Sequence, residues 1–299
     1  MPPQYSALTE YLCLEARGAD AGAFLHAQLS QAVDSGAPGR APLAGWHDAR
    51  GRVRGLLRVL HLPERWLLVT ARDGAPQLLQ RLTMFILRSA VKLEVAADVE
   101  VAAVLGAEPP WLTARGLPGD ATAGTRIARA NLHWICVGQG YWHVLGLRAG
   151  LDSLAESLPS APTEAAALAE IGLGLPLVTA GLADRYIAQM LNLDALGALA
   201  FDKGCYPGQE VIARVHNLGD VKRRLRRYAA DAPAPPVDTA VLDDRGAAVG
   251  EVVRNATSGA RAEVLAVVEH MAADRPLTSG GSPLAPLPLP FKIPRNHHE

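Results

Sequence analysis

Hydrophobic positions along the chain fall mostly into short runs of strand length, with helical spacing confined to a few windows. "VRGLLRVLHL" and "RWLLVTA" read as neighbouring strands joined near Pro63, and "VKLEVAADVEVAAVLG" supplies two more short ones. "TRIARANLHWICVG" followed by "YWHVLGL" predicts a hairpin turning at "GQG". Between these lie helical windows. Asp20 stands where it can cap a helix carrying Ala23, Phe24, Ala27, Leu29 and Val33, and "DGAPQLLQRLTMFIL" places Leu78, Leu79, Leu82, Phe85 and Ile86 on one apolar face. "LDSLAESL" and "TEAAALAEIGLG" give two further helices, the second ending before Pro176. Strands and helices follow one another without strict β-α-β alternation, which predicts an α+β architecture over a doubly wound parallel sheet.

The pattern changes after residue 218. "DVKRRLRRYAAD" alternates charge and apolarity as a solvent-facing strand does, and "APAPPVD" then interrupts the chain, placing a boundary between 1–230 and 231–299. Beyond it, β runs divided by Asp-Asp, Gly and Asn-Ala-Thr-Ser-Gly turns suit a small antiparallel barrel. In "SPLAPLPLPFKIPRNHHE" the prolines are too dense for a helix or a central strand, so an extended tail packed on the barrel is expected.

Composition narrows the function classes. A chain of 299 residues is long enough for two or three cores, and 49% hydrophobic with 20% charged residues describes a folded rather than a disordered protein. Its 29 basic and 30 acidic side chains argue against a protein that binds nucleic acid through overall basicity. "KRRLRRY", the one basic cluster, reads better as a strand face than as a phosphate or tRNA contact. Cys13, Cys136 and Cys205 form neither a disulfide framework nor a self-contained metal set, and the histidines are scattered apart from the pair at 297 and 298, so no metal site is assigned. No basic start leads into an apolar run and no stretch approaches 18 apolar residues. The reading is a reduced, cytoplasmic protein without a membrane span.

One segment carries chemistry. In "FDKGCYPGQE", residues 201–210, Gly204, Pro207 and Gly208 oppose regular structure and predict a tight loop around Cys205. Lys203 is placed to favour a thiolate there and Glu210 to oppose one, so spacing alone leaves the sign of the shift open. It also leaves open whether Cys205 is a functional thiol or a small apolar filler, the reading that Cys13 and Cys136 keep in their strand-like settings.

"KGCYPGQE" strongly resembles the signature of the YgfZ family, Lys-Gly-Cys-aromatic-x-Gly-Gln-Glu, matched here by Lys203, Gly204, Cys205, Tyr206, Gly208, Gln209 and Glu210. The resemblance extends through 189–214, including Asn192, Leu193, Asp194 and Arg214, and less specifically to "DARGRV" and "GAAVGEVV". It implies the fold of the glycine cleavage T-protein, an aminomethyltransferase: two interleaved α+β subdomains over 1–230, a C-terminal antiparallel β-barrel over 231–299, and a central site for tetrahydrofolate. It further implies support of iron–sulfur proteins, including tRNA methylthiotransferases, and protection under oxidative stress, with Cys205 and Lys203 at the centre of that role. Reduced folate needs a flat slot, groups facing its ring N–H donors and cations for its tail, and the candidates are Trp46, Asp48, Arg50, Arg52 and Glu170.

Two departures qualify the inheritance. Arg54 and Gly55 stand where the related aminomethyltransferases carry paired aspartates, which favours an accessory or repair factor over a folate-dependent one-carbon transferase, the alternative reading. Gln31 and Ala32 occupy the place of an Asn-Asp pair common in the family, the one feature that suits a third reading, an interaction scaffold that has lost the ligand.

Overall fold

The computed structural model describes residues 2–33 and 39–294, the Leu218 side chain aside. Its first elements are β1 (Gln4–Ala7), β2 (Tyr11–Arg17), α1 (Ala21–Gln28), β3 (Leu43–His47), β4 (Val53–His61), β5 (Trp66–Ala71), α2 (Ala75–Thr83), β6 (Lys92–Val95) and β7 (Glu100–Leu105). They are followed by α3 (Pro109–Ala114), β8 (Arg126–Arg129), β9 (Leu132–Gly138), β10 (Tyr141–Gly146), α4 (Arg148–Glu156) and α5 (Thr163–Gly172). An irregular stretch with one 3₁₀ turn (Ala188–Leu191) leads to α6 (Gln209–Leu218). Six strands close the chain: β11 (Arg223–Ala230), β12 (Ala240–Leu242), β13 (Ala248–Ser258), β14 (Arg261–Glu269), β15 (Leu277–Ser279) and β16 (Ser282–Leu287).

Two antiparallel five-stranded sheets, in the orders β3-β4-β5-β2-β6 and β1-β7-β10-β9-β8, pack face to face, and a closed barrel β11-β14-β13-β12-β15-β16 completes the molecule. The largely apolar runs of β4 and β5 follow from burial on both faces. One face places Leu57, Val59 and Leu68 under α1 and α2, while the other places Leu60, Leu67 and Val69 against Val101, Ile135 and Leu145 of the second sheet. α3 and α4 cover the outer face of that second sheet, where Leu112 and Leu151 meet Trp134 and Trp142.

Three expectations need correction. Arg224 of the basic cluster is not on a solvated face: it is 4% exposed and pairs with Asp194 at 2.8 Å. The barrel also includes β11, so it begins eight residues before position 231 and the proline-rich run is a connection within it. The proline-bearing segment is itself a barrel strand, β16. It pairs with β15 through 282–284 and with β11 through 285–287, so each half behaves as an edge strand, where proline is tolerated. Two helices are also shorter than their apolar spacing suggested. α1 stops at Gln28, and Asp20 accepts from the Ala90 N–H at 2.7 Å instead of capping it. α2 stops at Thr83, leaving Phe85 42% exposed.

The units meet at Glu170. This α5 carboxylate is fully buried and accepts from Tyr11 Oη of β2 at 2.8 Å, Tyr141 Oη of β10 at 3.0 Å, His143 Nε2 of β10 at 2.7 Å and Arg254 Nη2 of β13 at 2.5 Å. Burial alone would raise its pKa, but the Arg254 charge and the bonds from His143 and Tyr11 outweigh that and hold it below the ordinary carboxylate range. Arg254 also donates to the Leu175 carbonyl at 3.0 Å and to Glu10 at 2.6 Å. Glu170→Leu is therefore expected to lower unfolding free energy by roughly 3–5 kcal/mol, because it leaves a buried guanidinium without its main partner. Urea unfolding measures this, and Glu170→Leu with Arg254→Met should recover part of the loss; a single-variant loss below about 1 kcal/mol would count against a central role for the pair.

Candidate functional site

Two features stand out, a cavity between the sheets and the loop of the Lys-Gly-Cys motif beside it. The loop runs from Phe201 to Pro207, and Gly208, at φ 80°, turns the chain into α6. A Cβ at Gly208 would lie 2.4 Å from the Asp48 carbonyl oxygen and 2.8 Å from the Gly51 Cα, so the motif and the "DARG" turn touch backbone to backbone. Gly51, at φ 74°, faces Val211 and Ile212 of α6 in return. Tyr206 is buried in the core beneath, whereas Cys205 is exposed. Glu210 and Arg214 lie on the exposed side of α6, and Gln209 Nε2 reaches back to the Lys203 carbonyl at 3.5 Å.

Lys203 does not hold its ammonium free for the thiol. Nζ donates to the carbonyl oxygens of His26, of Leu29 at 2.6 Å and of Gln31 at 3.3 Å, so it gathers the carbonyls at the end of α1. The same ammonium lies 5.2 Å from the centre of the Tyr206 ring. The rest of the 189–214 block fixes the geometry around it. Gln189 donates to the Ile212 carbonyl, Asn192 to the Leu225 carbonyl, both at 2.8 Å, and Asp194 receives Arg224.

The cavity has a volume of about 870 Å³. Val59, Trp66, Trp142, Leu173 and Phe291 give it apolar walls, and Gln31, Ala32 and Gly197 bring the α1 exit and the 189–214 block to its rim. Gln31 spans that rim, donating to the Gly197 carbonyl and accepting from the Ala32 N–H, each at 2.8 Å. His61 stacks on Trp66 with ring centres 4.2 Å apart. Arg40, Arg58 and Asp120 are its charged lining residues.

None of Trp46, Asp48, Arg50, Arg52 or Glu170 lines this cavity. Trp46 is fully buried beneath Arg54 and edge-on to Phe85. Asp48 closes its own turn, accepting from the N–H groups of Arg50 at 2.9 Å and Arg52 at 2.8 Å, and Arg52 Nη1 donates to the Asp184 carbonyl at 3.1 Å. Arg54, at the position of the absent aspartate pair, is held with Arg81 by the Asp184 carboxylate.

Apart from Gln31 and Ala32, sequence reasoning missed the cavity residues, which come from segments far apart in the chain. One signal was present: Arg58 interrupts the apolar run from Leu56 to Leu60. His47, buried against Tyr206 with ring centres 6.3 Å apart, was likewise passed over. Among the described residues no helix is long and apolar enough to cross a membrane, and no three metal-ligating side chains cluster.

Curated proteins named tRNA-modifying protein YgfZ align with most of the chain. The Colwellia psychrerythraea protein is 27% identical over 223 residues, covering 73% of this chain and 69% of that protein. The Edwardsiella ictaluri protein is 28% identical over 236 residues, with 75% and 70% covered. Over about three quarters of its length the chain is similar to these YgfZ proteins. No family model matches the sequence. The glycine cleavage system aminomethyltransferase T of Bartonella henselae has the same fold as this chain, with a TM-score of 0.73 over 98% of this chain and 87% of that protein at 16% identity.

Two outcomes follow from the loop geometry. Gly208→Ala is expected to destabilise the protein by about 2–4 kcal/mol in urea unfolding, since Ala resists positive φ and its methyl group overlaps the Asp48 carbonyl; a neutral effect would show that the turn yields. Burial lowers the His47 pKa to about 3, with the Gly51 backbone opposing. The unfolded chain takes up this proton near pH 6.5 and the folded chain does not, so the contribution of His47 is fully present above pH 6.5 and is lost as pH falls toward 3, by roughly 1.4 kcal/mol per pH unit. The His47 ring signals in NMR should show no titration between pH 8 and 5; a midpoint near 6.5 would overturn the assignment.

Proposed function

We propose that this chain is a folate-binding accessory protein of YgfZ type that supports iron–sulfur enzymes, tRNA methylthiotransferases among them, with Cys205 as its functional thiol. The observation that carries the reading is a physical link. Lys203, two residues from the exposed cysteine, is bonded to the Gln31 carbonyl, and Gln31 lines the cavity. A ligand that moves this rim therefore acts on the loop that presents the thiol. Lys203 is a positioning residue in this account, and Cys205 is the group offered to a client protein.

The cavity suits reduced folate. Its volume lies within the range of small-molecule sites, the stacked His61 and Trp66 offer a flat face, Asp120, Thr122 and Gln139 offer acceptors for ring N–H groups, and Arg40 and Arg58 suit a carboxylate tail. When bound, reduced folate supplies nitrogen atoms that carry a one-carbon unit. The protein's residues enclose it, screen it from water and relay its presence through Gln31 and Lys203 to the loop. A folate-dependent transferase is the weaker reading, because Arg54 is neutralised by Asp184 and, among the described residues, Asp120 is the single carboxylate on the cavity wall.

Cys205→Ala is expected to melt within a degree or two of the wild type and to bind reduced folate unchanged, as befits an exposed side chain. In a strain lacking the protein it should fail to restore the activity of a cluster-dependent tRNA methylthiotransferase. Full restoration by the variant would sink the role of the thiol.

A further inference from the structure

Among the described residues, one charge on the cavity wall has no paired counter-charge. Arg58 lies on β4 with only 7% of its surface exposed, and among the described residues its one hydrogen bond runs from Nη1 to the Ala41 carbonyl at 3.1 Å. It takes part in no ion pair there. The other buried arginines are treated differently: Arg224 meets Asp194 at 2.8 Å and Arg254 meets Glu170 at 2.5 Å. A buried guanidinium without an anion is destabilising, and nothing in the packing of β4 requires it, since the adjacent Leu57 and Val59 are apolar.

The surroundings sharpen the imbalance. Arg40 lines the same cavity, also outside any ion pair among the described residues, with its Nη2 only 3.3 Å from where a Cβ on Gly124 would stand. Burial lowers the Arg58 pKa and outweighs the opposing effect of Tyr11, Glu170 and Cys136, with the Arg40 charge adding a smaller push in the same direction as burial; the Glu170 carboxylate itself is engaged by Arg254. Among the described residues Asp120 is the one acid on the cavity wall. Arg58 is also rigidly held, because β4 pairs on both sides at this residue, with Leu43 of β3 and Val69 of β5.

We propose that Arg58 is the carboxylate seat of the cavity, with Arg40 as the second cation for a ligand ending in a dicarboxylate. This deepens the folate reading and rests on it: the flat ring system occupies the apolar part beside His61 and Trp66, and the glutamyl tail turns toward the arginines. A planar guanidinium matches a carboxylate through two parallel N–H···O bonds, and binding supplies the counter-charge that the described side chains do not.

The test is calorimetric, with 5-formyltetrahydrofolate and its glutamyl dimethyl ester as probes. The wild-type protein should bind the diacid at least about tenfold more tightly than the diester, and Arg58→Met should erase that preference by weakening the diacid about 10- to 100-fold. Arg58→Lys should restore part of it, and Arg40→Gln should weaken the diacid by about three- to tenfold. The Met variant should melt no lower than the wild type, because no ion pair is broken, whereas a structural arginine would lower the melting temperature. Equal binding of diacid and diester by the wild type, or an unchanged affinity in Arg58→Met, overturns the seat and leaves the folate reading standing. If neither probe binds the wild type, both fall. The ester comparison needs no variant and decides the matter even if Arg58→Met does not fold.

Discussion

The structure depends on one buried carboxylate. Glu170 sits where the two sheets and the barrel come together, and it draws one donor from β2, two from β10 and one from β13. Hydrophobic burial holds each unit together but is indifferent to small rotations between them. Directed bonds to a single anion are not: Tyr11, Tyr141, His143 and Arg254 reach it together only when the units are in register. The cavity, whose walls come from both sheets and from the tail beyond the barrel, inherits its shape from that registration.

The motif loop is held by a second, different device. Its second glycine lies against the turn that carries Gly51, its tyrosine is sunk in the core, and its lysine grips the carbonyls leaving α1. Three anchors in six residues leave the intervening cysteine at the surface without allowing it to wander. The motif residues other than Cys205 thus explain themselves largely as supports, which accounts for why so short a stretch contains so many residues with special backbone or bonding demands.

Much of the architecture was legible in the sequence, because strand-length runs and turn residues report local physics. The hairpin at Gly138–Gly140 and the α5 helix stand where periodicity puts them. What was not legible involved partners distant in sequence. Arg224 looked like part of a solvated face because Asp194 is thirty residues away. The prolines of β16 argued against a barrel strand because nothing local shows that the strand changes neighbours midway. Asp48, Arg50 and Arg52 were drawn toward a ligand by their charge, although a carboxylate followed at two and four residues by N–H groups already describes a self-closing turn.

The threading of β1 and β2 sets the order in which this chain can be built. Only three residues separate them, yet β2 joins the first sheet while β1 joins the second, where Ala7 pairs with Ala102. β2 finds its neighbour β5 as soon as residues 66–71 are made. β1 has no edge to join until β7 exists, so during synthesis it waits as an unpaired strand tethered to a nearly finished sheet. The chain is thereby committed to assembling its halves in sequence but locking them at once. Neither sheet can later separate from the other without first releasing that short strand.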